Sequence, residues 1–178
     1  MFEVIASIVA LVAAAAAVML IMAARKTDTF RVQRTARIQA PPEKIFPLIN
    51  DFGNWSAWSP YERKNPAMRR ARSGAASGPG AVYAWEGDKN VGKGRMEITE
   101  ARPPSRITLK LDFERPFKAN NMVDFTLEPR GQSTDVTWAL YGPLPYMAKV
   151  MHTIFNMDRM VGSDFEAGLA SLKAIAER

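Results

Sequence analysis

The sequence predicts an α+β domain. A long antiparallel meander has one solvated face, two short helices follow its first strand, a long C-terminal helix covers its other face, and one transmembrane helix comes before it. Three observations carry this reading. From Ala81 to Leu140 run after run alternates apolar and polar side chains, the period of a strand with one buried face. Residues 145–178 carry apolar side chains at helical spacing instead. Residues 4–24 contain no charge at all.

That uncharged run, "VIASIVALVAAAAAVMLIMAA", has Ser7 as its only polar side chain. At 1.5 Å per residue it makes roughly 30 Å of helix, enough to cross a bilayer core. A cleaved signal peptide is the rival reading, since Ala23-Ala24 resembles a small-residue cleavage site. Only Met-Phe-Glu precedes the run, however, without the positive charge that opens a signal peptide. Positive residues follow it: Arg25, Lys26, Arg31, Arg34 and Arg37, against Asp28 alone. By the positive-inside rule the N-terminus lies outside and the domain in the cytoplasm. The expected organisation is therefore a transmembrane helix with basic juxtamembrane residues at 1–27 and one domain at 28–178. The protein is expected in a membrane, single-pass, in the bacterial inner membrane, crossing it through residues 4–24.

The net charge of +6 draws a tethered domain toward anionic headgroups. No compact basic motif accompanies it, so nucleic acid is not an expected partner. The absence of cysteine removes disulfides and thiolate metal sites. With one histidine, His152, a His-rich zinc site is not expected either, and no cofactor is implied. "GKG" at 92–94 and "SGPG" at 77–80 read as turns. They lack the strand–loop–helix setting of a phosphate cradle. No Gly-x-Ser-x-Gly elbow is present.

The elements follow in order. Phe30, Val32, Ala36 and Ile38 alternate with polar residues as a first strand, with an irregularity expected near Arg34. Pro41-Pro42 stop it, and Pro42 opens a helix where its missing N–H is not needed. "PEKIFPLIN" supplies about two turns, with Ile45, Phe46 and Ile49 inward. Asp51 is expected to cap a second short helical turn bearing Phe52, Trp55 and Trp58 on one side. A Gly-, Ser-, Pro- and Arg-rich loop follows, with strand character around 67–72. Five runs of strand pattern come next, "AVYAWEG", "GKGRMEITEARP", "SRITLKLDFERP", "NNMVDFTLEPRG" and "STDVTWALYGP", parted by turn signals at Gly87-Asp88, Pro103-Pro104, Arg115-Pro116 and Gly131. Met147, Val150, Met151, Ile154, Val161, Phe165, Leu169, Leu172 and Ile175 then mark a C-terminal helix, with a bend expected near Gly162 and Gly168. Four of the chain's methionines, Met147, Met151, Met157 and Met160, lie in this segment. Such side chains adapt to an irregular apolar guest as well as to ordinary core.

Polar candidates for an interior site are Glu62, Tyr83, Glu86, Asp124 and Tyr141. Tyr83 and Trp85 share one face of their strand and Glu86 the other. The parity of Asp124 matches Glu128 and points it to solvent. No pair of carboxylates stands out as acid and base, so no catalytic residue is expected.

The segment "IQAPPEKIFPLINDFGNWSAWSPYE" resembles the opening of the SRPBCC / START / birch-pollen-allergen-like superfamily of polyketide cyclase/dehydrase type, and "MDRMVGSDFEAGLASLKAIAE" is similar to the C-terminal helix of a bacterial branch of it. The resemblance covers about residues 29–178 and implies a helix-grip fold, in which a curved sheet wraps the long helix and the short helices plug one end of a cavity. It implies a hydrophobic small molecule or lipid as partner. The residues expected to bind it are Trp55, Trp58, Tyr61, Tyr83, Trp85, Met96, Ile98, Leu109, Leu111, Phe125, Trp138, Met151 and Phe155. Trp55 would close the core, with Trp58 and Tyr61 at the entrance. The expected function is membrane-anchored binding or carriage of a lipid or isoprenoid-like molecule. A cyclase- or aromatase-like enzyme, and an interaction domain with a vestigial cavity, are the alternatives.

Overall fold

The computed structural model describes residues 1–178. Helix α1 (Phe2–Ala24) leads into strand β1 (Thr29–Ile38). Three short helices follow, α2 (Pro42–Asn50), α3 (Trp55–Trp58) and α4 (Pro60–Lys64). Six strands come next: β2 (Arg69–Gly74), β3 (Ala81–Glu86), β4 (Lys93–Arg102), β5 (Arg106–Arg115), β6 (Ala119–Arg130) and β7 (Ser133–Pro143). Helices α5 (Tyr146–Ile154) and α6 (Met157–Ala176) end the chain. The strands form one antiparallel sheet in the order β1-β7-β6-β5-β4-β3-β2. Five hairpin connections build the meander, and β1 returns to pair with β7.

Alternation along each strand puts one set of side chains on the inner face, where neighbouring strands align them in rows. Ile98, Leu109, Val123, Leu140 and Val32 form one row, and Ile107, Phe125, Trp138 and Arg34 the next. All the apolar members of both rows are buried. Helix α6 lies over them with Phe165, Leu169 and Leu172 turned inward. The Phe165 and Trp138 rings stack at 4.1 Å with planes 10° apart. Gly168 permits this approach, since a Cβ there would stand 2.7 Å from the Trp138 ring and 3.0 Å from Pro60 Cδ.

Several expectations are corrected. The C-terminal segment is two helices, not one. Its break falls at Phe155–Asn156, where Asn156 Oδ1 accepts from the Arg159 N–H at 2.9 Å and caps α6. Gly162 and Gly168 lie inside the continuous α6 as packing sites. Asp51 caps no helix: its Oδ1 accepts from the Gly53 N–H at 2.7 Å and closes a turn before α3, which starts only at Trp55. The aromatic turn is followed by a further helix, α4, opened by Pro60. Strand β1 runs through Arg34 without a register shift. Its inward guanidinium is held by Asp158 at 3.0 Å and Glu166 at 2.7 Å, both on α6, and Gly162 leaves room for it.

Helix α1 stands apart from the sheet and is long and apolar enough to cross a membrane. Its last turn and the following residues are fastened to α5. Tyr146 Oη donates to the Leu20 carbonyl at 3.3 Å, and Lys26 Nζ donates to the His152 carbonyl at 2.7 Å. The buried Lys149 Nζ donates to the Lys26 carbonyl at 2.9 Å and to Asp28 Oδ1 at 2.7 Å.

Candidate ligand site at the open end of the grip

The inner face is filled at one end and partly open at the other. At the filled end, α3 delivers two indoles into the space between sheet and α6. Trp55 Nε1 donates to the Ile49 carbonyl at 2.8 Å, and Trp58 Nε1 to the Leu48 carbonyl at 2.9 Å. Each ring therefore satisfies its polar atom on α2 while burying its body, as an indole must. Trp58 is wholly buried and meets Phe125 and Trp138 edge-on at 6.0 and 5.5 Å. Trp55 packs on Phe52 and on Trp58. Ile98, Leu109, Phe125 and Trp138 belong to the same closed packing. The Trp138 indole N–H is buried without a partner.

Toward the end where β1 begins and β7 finishes, burial declines. The row Tyr83, Met96, Leu111, Asn121 is followed by the row Trp85, Gly94, Phe113, Ala119. Tyr83 and Leu111 are buried, while Met96, Trp85 and Phe113 are half-buried, as is Phe30 on β1. Trp85 anchors its Nε1 to the Val91 carbonyl at 2.9 Å and sets its ring edge-on to Phe113 at 5.6 Å. Asn121 brings a carboxamide to this otherwise apolar face. It is 92% buried and lies against Gly142.

Tyr83 has a second role at this rim. Its hydroxyl donates to Glu62 of α4, whose other oxygen accepts from Arg70 Nε at 2.6 Å. Burial and then the neighbouring Glu62 push the Tyr83 phenol well above the ordinary tyrosine range. Two of the residues singled out in the sequence are thus joined, with Arg70 as a third that alternation did not reveal. Tyr61 is half-buried and faces α6 rather than the open end, and burial followed by the Asp164 carboxylate raises its phenol. Met151 and Phe155 are exposed on α5 and on the linker to α6, outside the grip. The helix break explains this, because α5 turns to α1 and leaves the inner face to α6.

Asp124 and Tyr141 also come together, but on the outer face. Asp124, expected in solvent, is buried. It accepts from Arg106 at 2.6 Å, Thr108 at 2.8 Å and the Tyr141 hydroxyl at 3.3 Å. Its parity was outward, but the long side chains on that face cover it. Glu86 remains at the surface, paired with Arg115 at 2.7 Å.

His152 sits at the junction with α1, its ring edge against Phe30 at 5.4 Å. Burial and then the Lys26 charge lower its pKa. A histidine that resists protonation only when folded costs stability once the unfolded chain takes up the proton. Stability is therefore full above pH about 6.5, the ordinary histidine value, and declines as pH falls below it toward the lowered folded value. Thermal melts of the full chain across this range are expected to lose that slope in His152→Phe. An unchanged slope would remove His152 as its source.

Residues 29–177 match the family described as polyketide cyclase / dehydrase and lipid transport. No curated protein matches the chain. Among solved structures, a Thermobifida fusca protein is 19% identical with a TM-score of 0.61, covering 82% of this chain and 92% of its own. A Chromobacterium violaceum protein is 17% identical with a TM-score of 0.58, covering 85% and 98%. The protein Ara h 8.0201 is 11% identical with a TM-score of 0.55, covering 83% and 97%. At these identities the likeness is one of fold, and the fold is the same curved sheet around a C-terminal helix. With the family match spanning the whole domain, the chain belongs to the polyketide cyclase / dehydrase and lipid transport family of the SRPBCC type.

Proposed function

We propose that this protein binds a hydrophobic small molecule, a lipid or isoprenoid-like compound, at the open end of its grip, and that α1 holds the domain, on its cytoplasmic side, to a membrane. The observation that carries this reading is the decline in burial along the inner face. At the closed end the indoles are buried together with Phe165 and Leu169 of α6 in one core. The partly covered Met96, Trp85, Phe113 and Phe30 offer apolar contact at the other end, with Asn121 as one polar group among them. A mostly apolar surface with a single fixing dipole suits a long apolar ligand carrying one hydroxyl or carbonyl. Membership of a lipid-transport family supports the same ligand class.

The test is mass spectrometry of organic extracts from full-length protein purified gently with its membrane, beside a Met96→Glu variant. One apolar species enriched in the wild type is expected. The variant is expected to retain at least about tenfold less, the equivalent of about 1.4 kcal/mol, with an unchanged melting temperature. No enriched species in the wild type would overturn the reading.

The hydrogen-bonded Tyr83, Glu62 and Arg70 favour a second reading, a cyclase-like enzyme in which the Tyr83 phenol orients a reactive carbonyl. Under it, Tyr83→Phe abolishes turnover of a bound polyketide-like chain without reducing its retention. Under the carriage reading the same variant has no reaction to lose.

A further inference from the structure

Strand pairing gathers one set of features at one end of the sheet. Thr29 of β1 stands opposite Pro143 of β7, Phe113 of β5 opposite Ala119 of β6, and Glu86 of β3 opposite Lys93 of β4. The exit of α1, helix α5, the β5–β6 hairpin tip at 116–118 and the open end of the grip are therefore neighbours.

This end is apolar on its outside. Phe117 at the hairpin tip is 71% exposed, as is Met147 of α5, and Met151 and Ile154 of α5 are exposed with it. Spacing of four and three puts Met147, Met151 and Ile154 on one face of α5, with the buried Val150 at the edge of that face and the buried Lys149 on the opposite side. The height of that face is fixed by α1, because the Tyr146–Leu20, Lys149–Asp28 and Lys26–His152 bonds pin α5 beside residues 20–28. There the apolar run of α1 ends, at the depth where a spanning helix meets headgroups. An open apolar groove of about 490 Å³ continues between α1 and Thr153 of α5, lined by Leu11, Ala14, Val18 and Met22 among others. Arg25, Lys26, Lys89, Lys93, Arg115 and Lys118 lie at the same end, the charge that anionic headgroups attract.

We propose that α5 and the β5–β6 hairpin tip form a second membrane contact. Met147, Met151, Ile154 and Phe117 enter the interface of the bilayer that α1 spans, and they hold the open end of the grip against lipid. This rests on α1 being a membrane span, as read under Proposed function. An amphipathic helix with basic neighbours behaves in this way, and here the helix is already tied to the span. The occupant of this surface is thus an anionic bilayer, and the ligand reaches the grip without crossing water.

The chain has no cysteine, so single-cysteine variants report position cleanly. Full-length Phe117→Cys, Met151→Cys, Ala14→Cys and Gln132→Cys are labelled with the fluorophore NBD. They are reconstituted into phosphatidylethanolamine vesicles containing phosphatidylglycerol. Lipids carrying a nitroxide quencher at shallow or deep positions are then added. Shallow quenching at 117 and 151, deep quenching at 14 and none at 132, which lies in the β6–β7 turn at the far end, are expected. Deep quenching at 14 without quenching at 117 and 151 would overturn the proposal and leave the anchor standing. No quenching at 14 would overturn both. Labels at 117 and 151 that are shielded in native membranes but unquenched by lipid would assign the surface to a protein partner and overturn it as well.

Discussion

Trp58→Ala is expected to destabilise the domain by about 3–5 kcal/mol, the range for removing a fully buried large aromatic. Trp58 meets Trp55, Phe125 and Trp138 at ring-centroid distances of 4.9 to 6.0 Å. All three are themselves buried in the same core. The Leu48 carbonyl also loses its donor, which adds to the loss if water does not replace it. Trp58→Phe keeps much of the packing and is expected to cost distinctly less. Denaturant unfolding of the full chain in detergent, followed by near-ultraviolet circular dichroism, measures both. A Trp58→Ala protein of nearly wild-type stability that had lost its ligand would return this indole to the binding surface.

The second large effect is expected at Asp124. Asp124→Ala removes the acceptor shared by Arg106, Thr108 and Tyr141 on the outer face. The half-exposed Arg106 can turn to water, but the Thr108 hydroxyl is buried. A cost of about 2–3 kcal/mol follows, less than for a fully buried ion pair. Asp124→Asn keeps an acceptor and is expected to lose about half as much. Tyr141 supplies an independent readout. Burial, and then Asp124, raise its pKa, so Asp124→Ala is expected to bring it back toward the ordinary tyrosine value. Tyrosine-labelled NMR titration reads this directly. A Tyr141 titration unmoved in Asp124→Ala would mean that burial alone sets it.

Asp124 also marks where reading the sequence stops. Its parity along β6 gave the correct face, because strand side chains alternate by geometry. Whether that face is wet at one position depends on side chains from β5 and β7, sixteen to eighteen residues away in sequence. Tyr83 and Glu62 each stand out in the sequence, but their hydrogen bond exists only because α4 packs beside β3. Asn121 carries no signal in the sequence, since an asparagine at a strand's start has the composition of a turn. Only its register with Leu111, and its contact with Gly142, put it on the inner face.

The sequence by itself determined the apolar helix, the period-two strands, their turns and hence the antiparallel sheet. Those features follow from local geometry and from which side chains leave water, and both are written residue by residue. The tertiary structure alone decided which concave space stays open. Trp58 fills one end because α2 offers a carbonyl to its N–H. The C-terminal apolar stripe breaks at Phe155–Asn156 although its spacing continues, because α5 packs on α1 and α6 on the sheet. Two helices with different partners can share one periodicity, so the pattern records that a face is apolar but not what it packs against.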